Sequence, residues 1–410
     1  MRAAEPELAA FYAARHGRPL WTAGGALRPE ADEALAAIAQ ADRDGLSPDA
    51  YGLAELRRLV AEARTGDPAA LARAEVALSR AFARYVIDLR RPAPDAEMLF
   101  ADPAAAPPEP TVGGVLAELS GPGDVSERLA AARRMNPIYA AYRQALAEHR
   151  ARGGPARQER LLRLNLERAR ALPSELGERY VLVDAAAQRL WFYENGAAVD
   201  SMPVAVGKPS QATPIMAGLI RYVVFDPYWN LPPDLVPDKV ARPALRSGPQ
   251  FVEDAGFELL SGWTPQAQEI DPRQVDWVAV AAGRQELRVR QRPGPNNMMG
   301  QVKVMFPNEL GVYLHDTPHR GVFAGDRRAV SAGCVRLEDA PRLVRRLLGG
   351  EPPPTASPSP ERRVDLLRPV PVYLVYFTLG LEPDGRLAER PDIYRRDRAL
   401  MAALKIEGSS

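Results

Sequence analysis

Through the first 170 residues, apolar positions recur at intervals of three and four, as they do on one face of an α-helix. The segment 68–89 shows this spacing most clearly, and its predicted apolar face comprises Leu71, Val76, Leu78, Phe82, Tyr85 and Leu89. Ser47 and Asp67 each precede a proline, as expected of helix N-caps. Another helical pattern runs from 155 to 172. The sequence therefore predicts an all-helical domain over 1–158 and a connecting helix within 159–177.

From residue 178 onward the pattern changes to short apolar runs separated by turn residues, which is typical of β-strands. Asn195-Gly196 is the strongest hairpin signal among them. The less regular, proline-rich stretch 232–300 is predicted to be an insertion, and such long connections often act as lids or binding loops.

These patterns together predict an α+β protein in which a helical domain is followed by a mainly β domain over 178–350. The remaining segment, 351–410, is predicted to hold a linker, a final strand over 371–377 and a polar C-terminal helix or tail.

Composition narrows the classes of function. A length of 410 residues corresponds to two or three domains of ordinary size. The 53 Lys and Arg residues nearly balance the 52 Asp and Glu residues, so the basic excess usual in a nucleic-acid-binding protein is missing. The longest apolar run, 370–381, is too short to cross a membrane as a helix.

The chain contains one cysteine, Cys334, which excludes an internal disulfide and a multi-thiolate metal site. A lone cysteine is more often a small buried apolar residue than a reactive one, so a functional role needs support from its neighbours. Residues 1–6 lack the apolar core of a secretory signal. We therefore expect either a cytosolic protein or one whose leader has been removed.

Cys334 lies in the segment Ser331-Ala-Gly-Cys-Val-Arg336, and His315 precedes it by 19 residues at the end of a predicted strand. Such an arrangement can bring an imidazole to a sulfur, and a nearby imidazolium would lower the pKa of the thiol. Gly333 allows a tight turn, so that backbone N–H groups around Cys334 can face an oxyanion. Arg336 can bind a substrate carboxylate or brace the loop.

Three other readings of this region are weaker. His315 and His319 have the spacing of a zinc pair on a helix, but Pro318 and the preceding strand pattern oppose a helix there. Ser331 lacks the G-x-S-x-G context of a serine nucleophile. Asp316 follows His315 directly and would point to the opposite side of a strand. We therefore expect Asp316 to be structural and a backbone carbonyl to orient the imidazole.

The segments HDTPH and SAGCVRLEDA resemble the active-site motif of L,D-transpeptidases with a YkuD-type catalytic domain, and more narrowly of the YcbB-like subgroup. Further blocks resemble the same subgroup over nearly the whole chain, namely 206–214, 225–233, 290–296 and 302–308, together with the scaffold-like segments 11–21 and 44–46. The peptidoglycan-binding module that often follows the scaffold in that subgroup has no counterpart here, which puts autonomous wall binding in doubt.

This resemblance implies a cysteine acyltransferase acting on peptidoglycan. It implies that Cys334 attacks the bond between diaminopimelate and the terminal D-Ala of a donor tetrapeptide stem, with His315 as general base and acid. Gly333 and Cys334 would supply oxyanion N–H groups, and 232–300 would be the lid. The residues implied to bind substrate are Arg336, Tyr313, Trp229, Asn230 and Ser331.

The resemblance further implies resolution of the thioester by the amine of an acceptor stem, which gives a 3→3 cross-link. It implies no cofactor or metal, inhibition by carbapenems, and a periplasmic location for a chain whose leader is missing. Hydrolysis or D-amino-acid exchange through the same acyl-enzyme stays open, as does a catalytically idle wall scaffold. Packing alone would equally explain Trp229 and Tyr313.

Overall fold

The computed structural model describes residues 4–264, 266–354, 359–382 and 385–406. These residues form two compact units. The helical unit contains the residues up to 99, residues 106–176 and the residues from 376 onward. The second unit contains residues 100–105 and 177–375.

The helices are described first, in chain order. Within the described residues they are α1 (Ala4–Ala14), α2 (Pro29–Ala39), α3 (Leu53–Ala63), α4 (Pro68–Arg90), α5 (Val112–Leu119), α6 (Val125–Ala132), α7 (Pro137–Ala151), α8 (Ala156–Arg170), α9 (Arg242–Ser247), α10 (Gln250–Asp254), α11 (Trp277–Ala281), α12 (Ala340–Leu348) and α13 (Asp397–Ala403).

The strands of the same residues are β1 (Thr22–Ala23), β2 (Ala26–Leu27), β3 (Leu99–Phe100), β4 (Arg179–Asp184), β5 (Arg189–Glu194), β6 (Ala197–Gly207), β7 (Met216–Phe225), β8 (Trp229–Asn230), β9 (Phe257–Leu260), β10 (Arg288–Gln291), β11 (Val302–Met305), β12 (Leu314–His315), β13 (Ala329–Ser331), β14 (Val335–Leu337), β15 (Arg362–Val375), β16 (Leu379–Leu381) and β17 (Leu387–Glu389).

The longest helix, α4, shows how the helical unit forms. Asp67 caps it by accepting a hydrogen bond from the Ala70 N–H at 2.7 Å, and Pro68 occupies its first position. The predicted apolar face is buried except for Val76, which is 39% exposed. Ser47, also expected to cap a helix, makes no such bond and instead precedes a short 3₁₀ turn. The unit is not purely helical, because two small antiparallel strand pairs, β1–β2 and β16–β17, belong to it.

The sheet of the second unit runs in the order β11-β12-β14-β6-β5-β4-β15-β7-β3. It closes on itself because β11 pairs with β7 as well as with β12. The Asn195-Gly196 hairpin is confirmed between β5 and β6, with φ values of 49° and 81°. A helical domain followed by a mainly β domain is thus the observed fold class.

The predicted insertion forms a lobe with its own small core. Strands β8, β10 and β9 make a three-stranded sheet beside α9, α10 and α11. Its buried cluster runs from Trp229 to Met299 and includes Phe257, Leu259 and Trp277. We call residues 229–299 the capping lobe, and Tyr313 packs against its core.

The C-terminal segment holds a final strand and a C-terminal helix, as predicted, and part of the predicted linker, 355–358, lies outside the described residues. Strand β15 starts at Arg362, well before the predicted 371, and a bulge between Asp365 and Val370 interrupts its pairing with β7. Beyond it, the chain returns to the helical unit, where the Asn165 side chain accepts a hydrogen bond from the Thr378 N–H at 2.9 Å. Sequence patterns missed this return because α13 buries only Leu400 and so resembles a polar tail.

Candidate active site

His315 and Cys334 are placed by two neighbouring strands. His315 ends β12, which lies between β11 and β14 in the sheet. Across these strands it is in register with Lys303 on β11 and with Arg336 on β14. Cys334 directly precedes β14, so the parallel pairing of β12 and β14 brings the two candidate residues to adjacent strands at one cavity.

The His315 ring is buried, and its Nδ1 donates a hydrogen bond to the Asp316 carbonyl oxygen at 2.5 Å. That bond selects the tautomer in which Nε2 carries the lone pair. Burial, followed by the positive charges of Arg336 and Lys303, lowers the pKa of His315 to about 3, against a smaller opposing effect of the Asp316 carbonyl. The imidazole is therefore neutral at neutral pH and can accept a proton.

The Asp316 carboxylate has other partners, as expected of a structural residue. One oxygen accepts from the Gln301 N–H at 2.9 Å, and the other accepts from Arg320 at 2.6 Å. Gly300 is required beside it, because a Cβ there would lie 2.3 Å from the carboxylate and its φ is +59°. This carboxylate fixes the turn next to His315 and is not a third member of a triad.

Cys334 is partly buried, and its sulfur lies 3.6 Å from the Gly311 carbonyl oxygen. Burial raises the pKa of the Cys334 thiol, while hydrogen bonds from Tyr313 and the charge of Arg336 lower it by less. The expected imidazolium that would lower this pKa is not present, because His315 is neutral. At neutral pH these shifts favour a neutral thiol and a neutral imidazole.

The loop before Cys334 is held by two hydroxyl groups. The Ser331 hydroxyl accepts from the Gly333 N–H at 3.1 Å and donates to the Cys334 carbonyl oxygen at 2.5 Å. The buried Thr213 hydroxyl accepts from the Gly207 N–H at 2.9 Å and donates to the Gly333 carbonyl oxygen at 2.8 Å. Gly333 itself has a φ of +114°, which favours glycine.

The two N–H groups that were expected to face an oxyanion differ in their hydrogen bonding. The Gly333 N–H is already bonded to Ser331, whereas the Cys334 N–H makes no hydrogen bond to any described residue. Only the second is available to a ligand in this conformation. Ser331, expected among the substrate-binding residues, instead supports the loop and has its hydroxyl occupied.

A cavity of about 330 Å³ joins these groups. Its lining includes Cys334, His315, Arg336, Tyr313, Trp229 and Ser331. Asn230 does not line it and is exposed, paired with Arg290 in the capping-lobe sheet. Two lysines, Lys208 and Lys239, and the carboxylate of Asp234 also line the cavity.

Sequence reasoning missed three residues around this cavity. Thr213 supports the loop before Cys334, and Gln211 lines the cavity with a buried side-chain oxygen that has no hydrogen-bond partner among the described residues. Lys303 is a half-buried cation in register with His315, and partial burial lowers its pKa. The block 206–214, which contains Gln211 and Thr213, was the available signal, but it does not say which atom each side chain contacts.

Two further observations bear on the alternatives. Among the described residues, no group of three or more His, Cys, Asp or Glu side chains is placed to hold a metal ion. His319 is exposed, in contrast to His315, and precedes a 3₁₀ turn rather than lying on an α-helix.

In the described ranges, no helix has both the length and the apolar character needed to cross a membrane.

Comparison with known families matches both parts of the chain. Residues 178–365 match the L,D-transpeptidase catalytic domain of the YkuD family, and residues 6–146 match a scaffold domain. A Haemophilus influenzae protein, itself named only provisionally as an L,D-transpeptidase, is 30% identical over 248 residues, which are 59% of this chain and 49% of that protein. The chain thus spans about half the length of this curated relative.

Solved structures with local similarity include the L,D-transpeptidase from Mycobacterium smegmatis, with 14% identity and a TM-score of 0.25 over 48% of this chain and 58% of that one. L,D-transpeptidase 3 from Mycobacterium tuberculosis has 13% identity and a TM-score of 0.25 over 48% and 60% of the two chains. The chain therefore carries a YkuD-type L,D-transpeptidase catalytic domain over residues 178–365. Its N-terminal scaffold domain is consistent with the YcbB-like subgroup.

Proposed function

We propose that this protein forms 3→3 cross-links between peptidoglycan stem peptides through a thioester on Cys334. The Cys334 thiol gives its proton to His315 Nε2 while the sulfur attacks the carbonyl that joins diaminopimelate to the terminal D-Ala. The C–N bond then breaks, and the leaving amine of D-Ala takes the proton. The side-chain amine of an acceptor stem attacks the thioester, and the sulfur leaves and regains a proton by way of His315.

The observation that carries the proposal is the state of the pair at the cavity. The imidazole is buried, neutral and fixed through Nδ1, and it shares a cavity with the chain's one cysteine. A neutral base beside a neutral thiol suits a mechanism in which proton transfer accompanies attack. The Cys334 N–H, which has no partner among the described residues, would bind the oxyanion.

The charges of the cavity suit the proposed donor. Lys208, Lys239 and Arg336 are available to carboxylates, and Asp234 is available to an ammonium group. A tetrapeptide stem that contains diaminopimelate carries both kinds of group. Tyr313 and Trp229 would supply apolar contact to the stem, since both line the same cavity.

The capping lobe supports aminolysis over hydrolysis. Trp229, Leu235 and Met299 of this lobe line the cavity, so the lobe would limit water at the thioester. A shortened lobe should raise the ratio of hydrolysed tripeptide to cross-linked dimer, as measured by chromatography of the products. An unchanged ratio in a folded variant would make the lobe only structural.

The proposed substrate implies a location. Peptidoglycan lies outside the cytoplasmic membrane, so we propose that the protein acts in the periplasm or cell envelope. The reaction itself needs no metal or organic cofactor, because the thiol, the imidazole and one backbone N–H supply all of its steps.

Acylation by a carbapenem tests the nucleophile and the class of reaction together. The strained lactam should open on Cys334 and leave one added drug mass on the wild-type chain, located by peptide mass spectrometry to 331–336. Cys334→Ser keeps the shape but offers a hydroxyl of much higher pKa, so we expect no adduct. Release of D-Ala from a tetrapeptide should be lost in parallel.

Three results would overturn the proposal. An adduct that persists on Cys334→Ser would assign the chemistry to another residue. Binding to isolated wall without an adduct or D-Ala release on the wild type would favour a non-catalytic wall scaffold. Tripeptide formation without dimers would instead favour a carboxypeptidase.

A further inference from the structure

The second unit, which contains the matched catalytic domain, is called the catalytic unit from here on. It has a second concavity of about 550 Å³ that is lined mainly by arginine side chains. Its lining comprises Arg179, Glu194, Arg342, Arg345, Arg346, Gly349 and Gly350. None of these residues lines the cavity that contains Cys334. This arginine pocket is therefore a separate feature of the surface.

The pocket is built by one helix and one strand pair. Helix α12 buries Ala340, Leu343, Val344 and Leu347 and thereby places its three arginines on the opposite, solvent-facing side. Arg179 begins β4 and is in register with Glu194 at the end of β5. The Arg179 guanidinium donates to the Arg346 carbonyl oxygen, which ties the strand to the last turn of the helix.

The four guanidinium groups are not equally occupied. Arg179 contacts Glu194 at 3.2 Å, and Arg342 donates to the Ser201 carbonyl oxygen at 3.3 Å and forms an ion pair with Asp200 at 3.3 Å. Arg345 and Arg346 instead make only loose ion pairs, 3.7 Å from Glu351 and from Asp200 respectively. Neither of these two side chains donates a hydrogen bond to any residue that the structure describes.

Favourable charge at the helix C-terminus explains one or two basic residues there, but not four that converge on a single concavity. Guanidinium groups bind carboxylate and phosphate through paired N–H donors, so Arg345 and Arg346 can each take an anionic group. Glu194 in the same lining is unfavourable to a ligand that is densely anionic and favourable to one that also carries an amine.

We propose that the arginine pocket binds the peptide stems of peptidoglycan at a site separate from the active site. This proposal rests on the proposed function for the identity of the ligand. A tetrapeptide stem with diaminopimelate offers several carboxylates and one ammonium group, which matches several arginines and one glutamate. The catalytic unit would then hold a wall strand at two points, without a dedicated wall-binding module.

Co-sedimentation with purified peptidoglycan sacculi tests the site. In a Cys334→Ala background, which prevents acylation, the double variant Arg345→Gln/Arg346→Gln should bind sacculi about tenfold more weakly. The matched control, Arg327→Gln/Arg368→Gln, removes two exposed arginines of the same unit that lie outside both cavities. This control should bind like its parent.

Chemical modification of the sacculi provides a second test of the site. Sacculi whose carboxylates have been converted to amides should lose the difference between the pocket variant and its control. Equal binding by both double variants, or a difference that survives amidation, would overturn the proposal. Flotation of the parent with anionic lipid vesicles, lost in the pocket variant, together with no sacculus binding would assign the site to a membrane.

The experiments can contradict the arginine-pocket proposal and the proposed function independently of each other. Acylation of the pocket variant by a carbapenem, measured with Cys334 intact, should equal that of the wild type. Normal acylation with equal sacculus binding by both double variants overturns only the site. Reduced sacculus binding by the pocket variant without any acylation of the wild type overturns only the transpeptidase function.

Discussion

The Glu75 cluster of the helical unit and the cavity at Cys334 both bury polar groups, but they satisfy them differently. In the helical unit, the buried Glu75 carboxylate accepts hydrogen bonds from the Tyr12 hydroxyl at 2.7 Å, the Leu20 N–H at 2.5 Å and the Trp21 N–H at 2.9 Å. The neighbouring Ser79 hydroxyl accepts from the Trp21 ring N–H at 2.7 Å. Protein groups alone occupy this cluster.

The active-site cavity leaves comparable groups without partners among the described residues. The Nε of Arg336 and the side-chain carbonyl oxygen of Gln211 are buried and make no hydrogen bond. The Cys334 N–H is likewise unbonded. A buried polar group without a partner lowers stability, and a ligand in the cavity would supply the missing bonds.

Because the Glu75 cluster and the cavity differ in this way, we expect substitutions in one to change stability and substitutions in the other to change the chemistry. Substitutions in the Glu75 cluster should change the free energy of unfolding and leave the chemistry of each folded molecule intact. Substitutions at the cavity should change acyl transfer more than stability.

The largest effect is expected from His315→Ala. Removal of the base should lower the rate constant of carbapenem acylation by roughly 10²–10⁴-fold, the usual contribution of a positioned acid–base group. His319→Ala is the matched control, because His319 is exposed and does not line the cavity. Equal losses in the two variants would remove His315 from the reaction, and thermal unfolding of both would identify any loss due to misfolding.

The pH dependence of acylation should show the depressed pKa of His315. A base with a pKa of about 3 stays unprotonated from pH 7 to pH 5, so the rate constant should stay nearly flat over that range. A histidine with the ordinary pKa of about 6.5 would lose roughly thirtyfold by pH 5. A fall centred near pH 6.5 would contradict the buried, neutral state.

The same pKa links protonation to stability. Between pH 6.5 and pH 3 the unfolded chain binds a proton at this histidine and the folded chain does not, so His315 makes the protein less stable as the pH falls. His315→Ala should reduce that slope. Chemical denaturation at several pH values measures both slopes, and identical slopes would count against the shift.

A smaller effect is expected from Thr213→Val, which keeps the shape but removes both hydroxyl bonds that support the nucleophile loop. We expect acylation to slow by about tenfold, which corresponds to about 1.4 kcal/mol. Thr213→Ser keeps the hydroxyl and should recover most of the rate. If the valine and serine variants react equally, the hydroxyl does not position the loop.

The smallest effect on catalysis is expected from Glu75→Gln. The amide replaces an acceptor by a donor next to other donors, so the free energy of unfolding should fall by about 1–3 kcal/mol. The acylation rate constant of the folded protein should not change. A slower reaction at unchanged stability would contradict the expectation that the Glu75 cluster affects stability and not the reaction.

Local sequence signals were reliable where one short segment determines the structure. The Asn195-Gly196 turn, the Asp67 cap and the role of the backbone carbonyl beside His315 all depend on a few neighbouring residues. The fold class and the family also followed from such segments, because helical and strand patterns occupy different parts of the chain.

Features that depend on distant residues were not predicted. The partners of Thr213 lie 6 and 120 residues away, and the charges that lower the pKa of His315 come from two different strands. Asn230 was expected at the cavity from the family resemblance, but alternation along β8 buries Trp229 and exposes Asn230. The electrostatic state of Cys334 required knowledge of burial, which motifs do not carry.

The return of residues 376–406 to the helical unit has a consequence for the order in which the protein folds. The buried Asn165 and Arg168 bond to Thr378 and Asp397, so α8 lacks these partners until residue 397 has been synthesised. At a translation rate of 5–20 residues per second, the segment between α8 and Thr378 takes roughly 10–40 s to synthesise. The helical unit, although it is translated first, is therefore completed last.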